Sequence, residues 1–288
     1  MTKVYSFEMA TGNIDYQFTN DYMFRAVLQK YQKVLKALIC SVLHLAPESI
    51  RSIEITNPIE LGQHIEDKDF ILDIHVSLND DTNINLEMQV RQQVDWEERS
   101  LSYLCRTFDQ LTSGERYINA KAAIHIGFLD FTPFPDNPEF YATYKLLNIK
   151  NHRLYSDKFT LSVIDLTQID LATEEDIEYQ IAYWARLFKA TTWEELKMIA
   201  QENENLKEAS EALYTLNSDE IIRQQCRARE DYHRMERKRE LKIEALTEEN
   251  VALSKERNAL IEENKALSEE LITLRRLMKE NNISIDTK

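Results

Sequence analysis

Residues 69–78 read DFILDIHVSL and residues 83–90 read NINLEMQV. In the first run Phe70, Leu72, Ile74 and Val76 alternate with Asp69, Ile71, Asp73, His75 and Ser77. In the second, Ile84, Leu86, Met88 and Val90 alternate with Asn83, Asn85, Glu87 and Gln89. A period of two marks strands with one dry face and one polar face. Asn79, Asp80, Asp81 and Thr82 between them form a turn signal. The spacing predicts an antiparallel hairpin that carries Asp73, Glu87 and Gln89 on its polar face. An exposed hairpin face holds charged residues anyway, so spacing alone leaves both chemistry and plain solvation open.

Upstream, Asn20 and Asp21 open a helix, Asn20 as cap and Asp21 in the first turn where the dipole favours a carboxylate. Phe24, Val27, Leu28, Tyr31, Val34, Leu35, Leu38, Ile39 and Val42 follow at helical spacing, and the helix ends before Pro47. Residues 50–59 read as a first strand. Downstream, Asp95 with Glu98 has the spacing of a capping box. It opens a helix with Leu101, Leu104, Phe108 and Leu111 on its buried stripe and Gly114 at its end. Residues 121–129, KAAIHIGFL, form a near-continuous apolar run of the kind buried on both faces of a sheet. His125 within it reads as a satisfied core residue. After a loop with Pro133, Pro135 and Pro138, residues 140–148 and 159–166 predict a further pair of strands. From Thr173 on the pattern is helical, with Ile177, Ile181, Trp184, Leu187 and Phe188 packing on the domain. Gly 4 and Pro 5 are few for 288 residues, which also favours long helices.

Beyond about residue 201 the chain turns polar. Leu246, Leu253, Leu260, Leu267 and Leu274 recur every seven residues. With these at heptad position d, position a holds Ile243, Asn250, Arg257, Asn264, Leu271 and Met278, and Glu249, Glu256, Glu263 and Glu270 fall at g. This pattern predicts a leucine-zipper-like coiled coil over 241–282 and a homodimer through it, since an Asn at a pairs with its twin. A charged helical linker spans 201–240, after a folded domain over 1–200. Arg223, Arg227, Arg229, Arg234, Arg237, Lys238, Arg239 and Lys242 make the most basic stretch, but Glu230, Asp231, Glu236 and Glu240 interrupt it. A basic-region zipper that reads bases is therefore disfavoured against a solvated charged helix.

The net charge of −15 repels a phosphate backbone on average, so any DNA contact needs a local basic patch or a cation. Cys40, Cys105 and Cys226 are scattered and form no CxxC pair, which excludes a zinc site and a disulfide framework. The start MTKVYSFEMATG has no apolar signal core, and the most apolar stretch, 34–46, is too short to span a membrane. The expectation is a soluble, cytoplasmic protein without membrane contact. Two carboxylates on one hairpin face, with a backbone carbonyl close by, suit Mg²⁺ or Mn²⁺.

Four pieces in order resemble one known family: 20–24 NDYMF, 68–73 KDFILD, 85–90 NLEMQV and 98–103 ERSLSY. From 18 to about 170 the chain resembles the Rpn family of recombination-promoting nucleases, PD-(D/E)XK nuclease family transposases. The resemblance implies an α/β fold: a restriction-endonuclease-like core, a mixed sheet flanked by helices, here followed by the C-terminal helical coiled coil. It implies a Mg²⁺-dependent DNA endonuclease, linked to recombination or mobile elements. By motif, Asp73, Glu87 and Gln89 are the catalytic residues, and the metal ligands are Asp73, Glu87 and the Met88 backbone carbonyl. Gln89 stands where the wider nuclease class has Lys, which leaves the general base unassigned. Asp21, Arg99 and Tyr103 are accessory candidates, each also readable as a cap, an ion pair or a packing residue. The competing reading is a catalytically inactive nuclease fold that serves as the head of a coiled-coil dimer.

Overall fold

The computed structural model describes residues 6–59, 73–91 and 95–281. The expected strand residues 69–72, the KDFIL part of the second motif and the first five residues lie outside these. The described elements run α1 (Asp21–Lys30), α2 (Gln32–Val42), β1 (Ile53–Ile55), β2 (Ile74–Leu78), β3 (Thr82–Gln89), α3 (Trp96–Phe108), β4 (Ala122–Leu129), β5 (Tyr141–Lys145), β6 (Phe159–Asp165), α4 (Glu174–Glu178), α5 (Ile181–Lys189), α6 (Trp193–Ala200), α7 (Glu204–Asn217) and α8 (Glu220–Glu280). Six strands make one mixed sheet in the order β1-β2-β3-β4-β6-β5. β1, β2 and β3 pair antiparallel, β3-β4 and β4-β6 parallel, and β6-β5 antiparallel.

The two faces follow from the strands' alternation. Ile74, Val76, Ile84, Leu86, Met88, Ile126, Phe128 and Ile164 join the main core, which also takes in the buried faces of α1, α2 and α5. Gly127 and Leu129 turn the other way, toward Trp96 at the start of α3, in a small second cluster with Phe131 and Val163. α3 packs across β3, β4 and β6 on this side. The hairpin's polar face is therefore covered: Asn85 and Glu87 are buried together with their apolar neighbours.

Several expected boundaries shift. The single helix upstream is two, divided at Tyr31, whose backbone leaves helical geometry (φ −116, ψ 79). The break lets α1 pack on β3 while α2 reaches α5 and α7. Asp95 precedes α3 but makes no side-chain cap bond, because its own backbone (φ −109, ψ 26) is not the extended one a cap needs. α3 stops at Phe108, short of Leu111 and Gly114, and buries Trp96, Ser100 and Leu104 while Leu101 is half exposed. Ile177 is also exposed, whereas Ile181, Trp184, Leu187 and Phe188 are buried as expected.

The folded domain does not close near residue 200. Leu206, Ala209, Ala212, Leu213 and Leu216 of α7 and Ile222 and Cys226 of α8 belong to the main core. The compact unit runs to Glu230, and residues 231–288 form a second unit. The polar composition past 201 hid this because α7 buries only one stripe. Residues 231–280 of the 61-residue α8 fall in the second unit, and along them Leu246, Leu253, Leu260, Leu267 and Leu274 are all about half exposed. Among the described residues no helix is long and apolar enough to cross a membrane.

Candidate active site

The site lies on the α3 side of the sheet, where the β2–β3 hairpin meets β4. Ile74 pairs with Leu86, so Asp73, one residue before Ile74, stands next to the β3 position of Glu87, and its charge acts on that carboxyl. On the other side of β3, Asn85 pairs with His125 and Glu87 with Gly127. Side chains opposite one another on one sheet face are neighbours. The sheet thus gathers Asp73, Asn85, Glu87 and His125, all buried.

Each position has a local cause. Asp73 is held by its backbone: the Arg25 guanidinium of α1 donates to the carbonyls of Asp73 and Asn57. The Asn57 side chain donates to the same Asp73 carbonyl at 2.9 Å and accepts from the His75 amide at 2.8 Å. Arg25 is fully buried, and burial pushes its pKa down to about 10. Glu87 is held by its side chain: Arg99 Nη2 donates to Glu87 Oε1 at 2.7 Å. Arg99 also sits 5.1 Å above the Tyr103 ring, one turn further along α3. His125 lies between the rings of Trp96 and Tyr103, 5.9 Å from each. Gly127 makes that packing possible, because a Cβ there would lie 2.7 Å from Trp96 Cη2.

The electrostatics are those of carboxylates taken out of water. Burial pushes Asp73 up to about 6, against the pull of Arg99, a hydrogen bond from the Asn85 side chain, and Arg25. Burial and then the charge of Asp73 push Glu87 up to about 8, outweighing its ion pair with Arg99. Burial brings His125 down to about 3, so the imidazole is neutral. Asp21 raises both site carboxyls, and its own carboxylate accepts from Arg229 Nε at 2.7 Å and from the Tyr22 amide at 2.9 Å. Asn20 is the cap of α1, accepting from the Met23 amide at 3.1 Å, so Asp21 is spared that role.

One oxygen of each carboxylate, Asp73 Oδ2 and Glu87 Oε2, is buried with no hydrogen-bond partner. Such atoms are costly unless something else satisfies them. No cluster of three His, Cys, Asp or Glu suited to a metal ion occurs among the described residues. The protein offers a cation two carboxylate oxygens, not a closed cage.

A family model described as PD-(D/E)XK nuclease family transposase matches residues 18–242. The chain belongs to this family. No curated protein and no solved structure matches it. The family match covers the sheet, α3 and the root of α8, so the buried carboxylates lie inside the PD-(D/E)XK nuclease family transposase region.

The sequence-derived residues are distributed unevenly. Asp73, Glu87, Arg99 and Tyr103 come together, with Asp21 close enough to act on both carboxyls through its charge. Gln89, two residues along β3, is half-buried and donates to the Arg91 carbonyl at 3.0 Å. The Met88 side chain turns into the main core. Arg25 was passed over in the sequence, Asn85 was read only as a polar-face residue, and His125 was read as a satisfied core residue although its Nε2 is buried without a hydrogen-bond partner. Arg25 interrupts a run of buried apolar residues in α1, and His125 sits in an otherwise apolar strand; each was a visible anomaly. The basic stretch is mostly engaged: Arg223 with Asp15 at 2.7 Å, Arg229 with Asp21, Arg234 with Asp231 at 2.9 Å, and Arg239 with Glu236 at 2.5 Å.

Proposed function

We propose that this protein is a divalent-metal-dependent DNA endonuclease that hydrolyses phosphodiester bonds, in keeping with a recombination or mobile-element role. The observation that supports it most is the facing pair of buried carboxylates, each with an unpartnered oxygen. Those oxygens, with the Met88 carbonyl, would hold a hard cation such as Mg²⁺, which prefers few protein ligands. Mg²⁺ or Mn²⁺ bound there supplies charge neutralisation of the phosphate and acidifies water for in-line attack.

The protein's own groups do the rest. Arg25 and Asn57 fix the Asp73 backbone, and Arg99 fixes the Glu87 carboxylate, so neither oxygen has to reorganise. Trp96, Tyr103 and His125 exclude water behind them. Gln89, a neutral amide, orients water by hydrogen bonding but takes no proton. The tail pairs two chains through its leucine series. In a plasmid-nicking assay, wild-type protein nicks with Mg²⁺ or Mn²⁺, and EDTA or Asp73→Ala abolishes nicking.

A second reading, a catalytically silent nuclease fold heading a dimer, has one observation in its favour. Arg99 already gives Glu87 a positive partner. The same assay separates the two: a silent fold nicks under none of these conditions.

A further inference from the structure

We propose that His125 is a positioning residue of this site: Asn85 fixes its imidazole as the Nε2–H tautomer, and that N–H orients the unpartnered oxygen of Glu87. The inference rests on the reading of Asp73 and Glu87 as the site's carboxylates.

The geometry starts from Asn85, fully buried beside His125 across the β3–β4 ladder. Its Nδ2 lies 2.9 Å from His125 Nδ1. An amide NH₂ only donates, so the contact is an N–H of Asn85 given to the ring nitrogen. His125 Nδ1 then accepts and carries no proton. A neutral imidazole has one proton, and it falls on Nε2.

Nε2 is therefore a buried donor, and it has no partner. Facing it at 3.8 Å is Glu87 Oε2, a buried oxygen with no partner, which accepts in the ionised carboxylate that a cation requires. Orphan polar atoms are rare in buried sites, and here two of opposite kind face one another. A shift of roughly 0.6 Å brings them within hydrogen-bonding distance. Arg99 holds one oxygen of Glu87, and His125 governs the other. A chain then runs Asn85–His125–Glu87 across β3 and β4 on the α3 side of the sheet. A histidine present only to fill the core needs no fixed tautomer, and its ring would be replaceable by an apolar side chain of similar size.

The test uses the metal-free, full-length protein labelled with ¹⁵N-histidine. Two-bond proton–nitrogen correlation reports the tautomer, and the His125 signal is assigned by its loss in His125→Gln. The expected result is protonation at Nε2; protonation at Nδ1 overturns the proposal. MnCl₂ affinity is then measured by calorimetry. His125→Gln keeps a donor near Nε2 and stays within a few-fold of wild type. His125→Leu loses the donor and falls about 10–100-fold, the usual effect of removing an outer-sphere partner. Equal affinity in a folded Leu variant overturns the positioning role. Should His125→Leu not fold, the wild-type tautomer and the Gln variant decide. Wild-type protein that binds no Mn²⁺ sinks the metal-site reading instead, and the tautomer still decides the histidine's state.

Discussion

Arg229, in the third turn of α8, donates its Nε to Asp21 Oδ2 at 2.7 Å, across 208 residues of chain. Next to it, Asn20 Nδ2 donates to the Cys226 carbonyl at 3.2 Å. The first turns of the tail helix are thus part of the compact unit that ends at Glu230 and stand beside the first turn of α1.

Cutting the chain after Glu230 should leave a stable domain, whereas cutting after Leu216 should not. The shorter piece loses Ile222 and Cys226 from the core, and Asn217, which bonds the Tyr16 amide at 3.0 Å and its carbonyl at 2.9 Å. A buried aliphatic side chain is worth about 1.5–3 kcal/mol and an orphaned buried polar group about 1–3 kcal/mol. The melting midpoint of the shorter piece should fall by roughly 10 °C or more, since each kcal/mol moves it about 2–4 °C. Equal midpoints for the two truncations would show that the root of α8 is dispensable.

Full-length protein should sediment as a dimer and the piece ending at Glu230 as a monomer. The basis is the half-exposed leucine series from Leu246 to Leu274 with Asn250 and Asn264 at a. Replacing Leu253, Leu260 and Leu267 together by Glu should give a full-length monomer. An unchanged sedimentation coefficient in that variant would remove the zipper.

How much of this was legible in the sequence depended on distance along the chain. The β2–β3 hairpin was readable because its alternation and its turn are local, and that put Asp73 and Glu87 on one face. KAAIHIGFL was readable as a central strand, but not which strand it would join. The parallel β3–β4 register sets His125 beside Asn85, 40 residues away, and nothing local encodes it. The hairpin's polar face looked like a solvated one, because nothing in its alternation reports that α3 will cover it. Arg229 read as part of a basic patch because its partner Asp21 lies at the other end of the chain.

Metal should stabilise the protein more at high pH than at low pH. Glu87 is raised to about 8 and Asp73 to about 6. The native protein keeps these protons to higher pH than the unfolded chain does. Their contribution to stability therefore falls as pH rises from the ordinary carboxylate range to about 8. A cation must displace the protons, so each proton released costs about tenfold in affinity per pH unit below the pKa. The rise in melting midpoint with 10 mM-scale Mg²⁺, on the order of a few °C, should be larger at pH 8.5 than at pH 6. An equal rise at both would place the cation elsewhere.

Gly127→Ala should disturb the site from behind. The new methyl group meets Trp96 Cη2 and Cζ2 at 2.7 and 2.8 Å, so the indole must move. Overpacking of this kind costs about 1–3 kcal/mol. A lower melting midpoint together with a shifted tryptophan emission is expected. Unchanged emission would mean that Trp96 does not pack on β4 in solution.

Nicking of supercoiled plasmid decides whether Asp73 and Glu87 form a metal-dependent cleavage site. Wild-type protein, Asp73→Ala, Glu87→Ala and Gln89→Lys are compared over a Mg²⁺ and Mn²⁺ series, with EDTA as the blank and thermal melts as fold controls. Metal-dependent nicking is expected of the wild type, none of either alanine variant although both remain folded, and measurable nicking of Gln89→Lys. Cleavage at the wild-type rate by a folded Asp73→Ala would contradict the assignment.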